Sequence, residues 1–204
     1  MRHLLLLLLL PLAACAFRNV PLDLPPRVGT GLTGGDKRVV VVVAPFADGR
    51  PDHARCGFQT NGTSETAKAV CSEDPAAWLA KLLGAELRSA GFQVVETSDK
   101  PGAVRIEGTL LQLFSEPMVL WSTVNIETDL KVKLVATSQN GLAAERTFFV
   151  KAVRSSSAAT PANFQKSIEL ASQQVARDLV AAVLSLVNHY PELGAWRAGV
   201  RGVA

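Results

Sequence analysis

Few side chains in this sequence could act as nucleophiles or general bases. The 204 residues include only three histidines and three cysteines. Away from the N-terminus, the histidines are His53, in a predicted loop, and His189, beside Tyr190 and Pro191. Neither belongs to a Gly-x-Ser-x-Gly segment, and a serine nucleophile needs a base within reach. The sequence therefore predicts no catalytic residue and favours a protein that is not an enzyme.

Two carboxylates are the remaining candidates for acid–base chemistry. Glu127 and Asp129 point to the same side of a predicted strand, and paired carboxylates can support glycoside hydrolysis. Lys131 and Lys133 share that side, and neighbouring cations favour ionised carboxylates over a proton-donating acid. We interpret these four residues as a solvated face of the strand.

Cofactors and nucleic acid are not indicated either. The sequence has no phosphate loop, dinucleotide fingerprint, His-Glu-x-x-His segment or EF-hand loop. The formal net charge is only +3, without a basic cluster, so we expect no nucleic-acid partner.

The N-terminus has the pattern of an export signal. Arg2 and His3 precede an apolar run at residues 4–10, and small residues follow. Spanning a bilayer takes about 20 apolar residues, so this run is too short for a membrane helix. Leu12-Ala13-Ala14-Cys15 resembles the bacterial lipobox.

The lipobox resemblance implies that Cys15 is the lipidation site. It implies diacylglycerol on the thiol, cleavage before Cys15 and acylation of the freed amine. Each buried CH₂ is worth about 0.8 kcal/mol, so several acyl chains form a nearly permanent anchor. Ala16 stands where inner-membrane lipoproteins often carry Asp. The resemblance therefore predicts a membrane as the first partner, specifically the periplasmic face of the outer membrane.

Cys56 and Cys71 remain once Cys15 is acylated. An even pair in an oxidising compartment predicts a disulfide. Zinc is the alternative, because His53 precedes Cys56 by three residues. Structural zinc takes four Cys or His ligands, which the sequence does not supply, so we predict no metal site.

The chain divides into four predicted parts. They are a signal peptide (1–14), a lipidated N-terminus and flexible tether (15–36), a single domain (37–188) and a C-terminal tail (189–204). The tether is assigned because proline and glycine are too dense at 16–36 for a regular element. We interpret the polar stretch 49–72 as a loop closed by the disulfide.

Hydrophobic periodicity predicts the elements of the domain. Strands are expected at 38–44, 92–96, 104–114, 121–136 and 142–153. Asp74 and Pro75 can begin a helix that Gly91 ends, and Thr160-Pro161 can begin a second helix that Pro191 closes. This order predicts an α+β two-layer sandwich: a mixed, mostly antiparallel sheet of about five strands with two helices on one face. The crossover through the first helix makes at least one strand pair parallel.

A family resemblance agrees with this order. The segment from Val41 to Asp52, Val-Val-Val-Ala-Pro-Phe-Ala-Asp-Gly-Arg-Pro-Asp, resembles the first strand and Asp-x-Arg turn of YajG-type envelope lipoproteins. The similarity continues through Gly108-Thr109-Leu110 and the strand at 129–134, covers about residues 38–187, and departs at 53–72. It implies the fold and an envelope location. The family has no established enzymatic activity, so no site residue is carried over.

The tail is predicted to contact a partner or a membrane surface. Its apolar residues recur at three- and four-residue steps: Leu193, Trp196, Val200 and Val203. Trp and Arg are frequent binding anchors, which makes Trp196, Arg197 and Arg201 candidate partner contacts. The alternative is that the tail packs on the sheet or frays.

Two functions follow as hypotheses. The first is a non-enzymatic envelope lipoprotein that binds or supports another envelope protein or assembly. The second is an auxiliary lipoprotein that binds lipid or a small apolar ligand for transport. A large apolar cavity between sheet and helices would favour the second.

Overall fold

The computed structural model describes residues 19–60, 64–99, 103–138 and 143–187. These residues form nine strands and two helices. The strands are β1 (Val20–Leu22), β2 (Val40–Val43), β3 (Ala47–Asp48), β4 (Gly57–Thr60), β5 (Glu65–Cys71), β6 (Gln93–Val95), β7 (Val104–Val119), β8 (Val124–Ser138) and β9 (Ala143–Ser156). The helices are α1 (Pro75–Ala90) and α2 (Pro161–Val187).

The sheet is organised around the 16-residue strand β7. One edge of β7 pairs antiparallel with β8 along its whole length, and β9 pairs with β8. The other edge pairs in succession with β2, β3 and β4, all parallel. Beyond these lie β6 beside β2, and β5 and then β1 beside β4.

The α+β class with two helices is confirmed, but the predicted sheet is imprecise. The described strands number nine instead of about five, and five of their eight pairings are parallel. The parallel pairs arise because β2, β3 and β4 each run in the direction of β7 after short irregular connections. The predicted parallel pair across the first helix is β2 with β6.

A β-bulge keeps both halves of β7 in register with the core. Before the bulge the buried side chains are Ile106 and Leu110, and after it they are Leu113 and Ser115. The buried positions thus change from even to odd numbers. The pairing with β8 shifts between Leu110 and Gln112, which leaves Leu111 as the extra residue. Without it, the second half of the strand would turn its core side chains outward.

The helices cover one face of β7, β8 and β9. The inner face of β8 is the predicted one, with Ile126, Leu130, Val132, Leu134 and Ala136 all buried. Helix α2 packs on β8 and β9, and α1 packs on α2 and β7. α2 has the length and composition of a membrane-spanning helix, yet its apolar stripe from Phe164 to Val183 is buried against the sheet. We therefore treat α2 as a core helix.

Helix α1 begins and ends as the sequence predicts. The carboxylate of Asp74 accepts hydrogen bonds from the backbone N–H groups of Ala76 (2.8 Å) and Ala77 (3.2 Å), and Pro75 occupies the first helical turn. Gly91 ends the helix at φ 109°, in the left-handed region that glycine adopts without a steric penalty. These contacts satisfy backbone groups that helix ends leave without partners.

The prediction of a flexible tether at 15–36 is wrong from Val20 onward. β1 pairs with β5, and Leu22 and Leu24 are buried. The next residues, 23–30, form a strap across α1, where the indole N–H of Trp78 donates to the carbonyl of Pro25 at 2.8 Å. The proline-rich segment is ordered because side chains of α1 bind its main chain, which composition cannot reveal.

Glu86 holds the strap in place. Its buried carboxylate accepts backbone N–H groups of Val28 and Gly29 at 3.1 Å each and of Thr30 at 2.9 Å. Burial alone would raise the pKa of Glu86, but these three donors hold it below its ordinary value. The ionised carboxylate is therefore the form that the folded strap requires.

The polar stretch 49–72 is a hairpin rather than a loop. It contains β4 and β5, paired antiparallel, and its small buried residues Ala67 and Ala69 face the core. The prediction failed because such small side chains give a weak alternation signal.

The termini of two other strands also differ from prediction. β7 continues to Val119, and β8 begins at Val124, so that Trp121 lies in the turn between them. Of the predicted turn at 138–141, only Ser138 is among the described residues. The predicted helix end near Pro191 lies outside them.

Replacing the Glu86 carboxylate should loosen the strap. In Glu86→Gln, the side-chain N–H₂ group cannot accept a hydrogen bond from the backbone N–H groups of the strap. We therefore expect the free energy of unfolding to fall by about 1–3 kcal/mol. Because the folded pKa is lowered, the stabilisation by Glu86 is complete above about pH 4.3 and disappears as the pH falls through the folded pKa. Urea denaturation across this range measures both effects.

Glu169→Gln is the matched control, because Glu169 is exposed on α2. An unchanged free energy of unfolding in Glu86→Gln, with the same acid dependence as wild type, would show that the strap does not depend on this carboxylate.

Candidate functional site

The Asp-x-Arg turn forms a buried ion pair. The Arg50 side chain is 3% exposed, and its Nε and Nη2 donate to the Asp48 carboxylate at 2.9 and 2.8 Å. The Nη1 of Arg50 donates to the carbonyl of Arg55 at 3.1 Å and lies 3.4 Å from the Sγ of Cys56. The guanidinium thus joins β3 to the segment that enters β4.

The ion pair keeps Asp48 ionised. Hydrogen bonds from Arg50 hold the pKa of Asp48 below its usual value, against the opposing effect of burial. An ionised carboxylate fully engaged by a guanidinium cannot act as a general acid. His53 lies 3.8 Å from Asp48, and its side chain is largely exposed.

A disulfide joins Cys56 to Cys71 across the open end of the β4–β5 hairpin. Cys56 is buried, and its backbone N–H donates to the carbonyl of Ala69 at 2.7 Å. Residues that could hold a metal, three or more His, Cys, Asp or Glu together, do not converge anywhere in the described ranges.

Three buried hydroxyls link α2 to the sheet. Ser115 and Thr128 lie 2.7 Å apart on neighbouring strands, and Thr128 donates to the Oγ of Ser167 on α2 at 2.8 Å. Ser167 then donates to the carbonyl of Ile126 at 3.0 Å. Each hydroxyl has a partner and all three residues are 0% exposed, so the chain of bonds is a structural connection.

One surface with the features of a binding site is a cleft along the outer edge of β9. Two adjoining depressions of about 490 and 470 Å³ share Leu170 and Gln173 of α2. One is bounded by the strap and Arg154, and the other by the consecutive β9 residues 151–153. We call this the β9 cleft. It is an open surface groove between the strap, α2 and an edge strand.

The β9 cleft is basic. Its cationic lining residues are Arg27, Lys151, Arg154, Lys166 and Arg177, and Glu169 is the acidic one. Lys151 is engaged by Glu127 at 2.7 Å and Asp129 at 3.4 Å. Within the described residues, no carboxylate lies in ion-pair distance of the other four cations. Their positive charge is free to attract an acidic ligand.

This cleft could not be predicted from the sequence. Its residues come from three separated segments, and none forms a motif. Leu170 is the one residue whose type could have indicated the cleft from the sequence, because it is apolar on the exposed side of α2. It is 45% exposed in the structure. The predicted site residues Cys15, Trp196, Arg197 and Arg201 lie outside the described residues. Glu127 and Asp129 lie on the solvated face, where they pair with Lys151.

Fold and side-chain chemistry together describe a two-layer α+β domain with structural polar clusters and an open, basic cleft. Residues 35–185 match a protein family described as uncharacterized lipoprotein, and the chain belongs to this family. The expectation of a bacterial lipoprotein is thereby confirmed. The narrower resemblance to YajG-type proteins stays a prediction. No curated protein sequence matches the chain.

Two solved structures share the fold. Protein XCC0632 from Xanthomonas campestris, of family DUF330, superposes with a TM-score of 0.59 at 17% identity, covering 83% of this chain and 96% of its own. A structure described as an uncharacterized protein superposes with a TM-score of 0.53 at 13% identity, covering 81% and 99%. Identities this low support the architecture alone.

Reduction of the Cys56–Cys71 disulfide should destabilise the domain. The bond closes a loop with a sequence separation of 15 residues, for which the chain-entropy model gives about 3 kcal/mol. Unfolding in urea with and without a phosphine reductant measures the difference. The double variant Cys56→Ala/Cys71→Ala is the control, because the reductant should leave its stability unchanged. Rapid alkylation of both thiols in native, unreduced protein would contradict the disulfide.

Proposed function

We propose that this chain is a non-enzymatic envelope lipoprotein that binds another envelope protein along the β9 cleft. The observation that carries the proposal is an open strand edge beside uncompensated positive charge. β9 is 14 residues long, and β8 is the one strand that pairs with it in the described part of the sheet.

An open strand edge suits recognition of an extended segment. Half of the N–H and C=O groups of an edge strand point away from its neighbour, and a partner strand can satisfy them. Long open edges are also sites of unwanted pairing, which proteins limit with charged side chains. Arg154 and Lys151 on β9 limit unwanted pairing in this way, because they repel basic segments and attract acidic ones.

Charge complementarity specifies the partner segment. Arg27, Arg154, Lys166 and Arg177 surround the cleft, and Glu169 is its one acidic lining residue. Because the cations outnumber this carboxylate, the partner segment should be extended and acidic. Leu170 and Val153, both about 45% exposed, offer apolar contacts between these charges. This combination of a polar rim and apolar centre is typical of protein interfaces.

The proposed lipid anchor determines where in the cell this cleft lies. We propose that lipid on Cys15 holds the domain at the periplasmic face of the outer membrane, as the lipobox resemblance implies. Membership of a lipoprotein family supports a lipid anchor. The tail remains a second proposed contact through Trp196, Arg197 and Arg201.

The alternative function, binding of a lipid or small apolar ligand, has no specific support. It requires an enclosed apolar cavity, whereas the depressions beside α2 are open grooves with charged linings. Ligand pockets of that class bury most of their ligand in apolar surroundings.

Photo-crosslinking in intact cells tests the partner. A photoreactive phenylalanine at Leu170 should capture a defined protein through an acidic segment, and one at the exposed control position Lys81 on α1 should not. Arg154→Glu should lower the yield at position 170 several-fold by repulsion. Lys37→Glu makes the same charge change outside the cleft and should leave the yield unchanged.

The proposal is contradicted if position 170 captures no protein that position 81 fails to capture. Equal capture in wild type and Arg154→Glu would also remove the charge argument.

A further inference from the structure

The turn between β7 and β8 presents consecutive apolar side chains to solvent. Met118, Val119 and Leu120 are about half exposed, and Trp121 is 104% exposed. We call residues 118–121 the apolar tip. The turn is closed by a hydrogen bond of 2.8 Å from the N–H of Leu120 to the carbonyl of Thr123, so these side chains stand on a defined hairpin.

Such an arrangement differs from ordinary surface exposure. Single apolar residues are common on protein surfaces, but a contiguous apolar patch marks an interaction site. Tryptophan in particular prefers surroundings that are apolar at one end and wet at the other, as at a membrane–water interface.

Strand topology shows from which end of the sheet the chain enters the domain. Gly57 of β4 pairs in parallel with Ser115 of β7, and Ala69 of β5 pairs antiparallel with Gly57. Val20 of β1 in turn pairs in parallel with Ala69. Val20 is thus level with Ser115, but β1 runs opposite to β7. The chain therefore enters β1 from the end of the sheet at which the apolar tip lies.

The chain between Val20 and Cys15 is long enough to bring the lipid to that end. From Ser115 to Val119, β7 advances by four residues, or about 13 Å at the rise of a strand. Val20 is five residue steps from Cys15, and an extended chain of that length spans up to about 17 Å. The acylated cysteine can therefore lie at the level of the apolar tip.

The same end of the sheet is poor in charge. Three segments that meet there contain no Asp, Glu, Lys or Arg: residues 57–60, 117–126 and 155–165. Ser156 pairs with Val124, which places the end of β9 beside the tip. On β5, Glu65 is paired with Arg55 at 2.9 Å. Approach to a bilayer would thus desolvate few unpaired charges, which is the main cost of such a contact.

We propose that the apolar tip inserts into the interface of the membrane leaflet that holds the Cys15 lipid. The inference rests on the lipid anchor of the proposed function and adds a second, non-covalent membrane contact. Two contacts at one end fix the orientation of the domain. The strands then point away from the membrane, and the β9 cleft is presented to the periplasm along its length.

Tryptophan fluorescence on lipid vesicles tests the tip. The chain has three tryptophans, and Trp78 is 1% exposed, with its indole bonded to Pro25. The full-length lipidated protein is reconstituted in phosphatidylethanolamine–phosphatidylglycerol vesicles with brominated acyl chains, which quench nearby indoles. The proteins compared are wild type, Trp121→Phe and the matched control Trp196→Phe.

We expect brominated lipid to quench wild type and Trp196→Phe alike, and Trp121→Phe to lose at least half of the quenching. Leu120→Asp should also reduce quenching of Trp121 while leaving the melting temperature unchanged, because the tip is outside the core. The proposal is overturned if Trp121→Phe is quenched as strongly as wild type, or if wild type is not quenched at all.

Flotation with the vesicles separates this inference from the anchor. Flotation of every variant, with no quenching at Trp121, contradicts only the tip contact. Failure of the lipidated wild type to float contradicts the anchored function and the tip contact together.

Discussion

The pairing of β7 on both edges is the constraint on which the structure depends. One edge is filled by β8, and the other is divided among β2, β3 and β4. Every one of these pairings fixes which side chains face the helices, because a shift of one residue would exchange the two faces of the strand. The bulge at Leu111 allows a single long strand to satisfy all of them. The positions of both proposed contact surfaces follow from this arrangement.

The polar groups inside the domain hold this arrangement together. Arg50 and Asp48 connect β3 to the disulfide hairpin, Glu86 holds the strap to α1, and Ser167 ties α2 to β8 through Thr128. Arg50, Glu86 and Ser167 are each buried. Removing the partners of such a group costs stability because the group stays desolvated. The two surfaces proposed to bind partners lie at the borders of the sheet. They are the β9 edge on one side and the apolar tip at one end.

Sequence patterns predicted the parts of the fold that depend on local periodicity. The alternation in β8, the Asp74 cap and the Gly91 stop of α1 could be identified from neighbouring residues alone. The disulfide between Cys56 and Cys71 was predicted because two cysteines remain in an oxidising compartment once Cys15 is acylated. The strap, the β4–β5 hairpin and the bulge depend on distant partners such as Glu86, which periodicity does not record. The β9 cleft was missed because it arises where three segments meet. The apolar tip was missed because Trp121 was assigned to a strand.

Hydrogen–deuterium exchange on the vesicle-bound lipoprotein, without other proteins, tests most directly whether β9 offers an open edge. In an antiparallel edge strand, alternate amides are bonded to the neighbour and the others point outward. We expect slow exchange throughout the central part of β8, and alternating slow and fast exchange along residues 147–153 of β9. Uniformly slow exchange over those β9 residues would mean that another part of the chain already covers the edge, which would contradict the proposed partner surface.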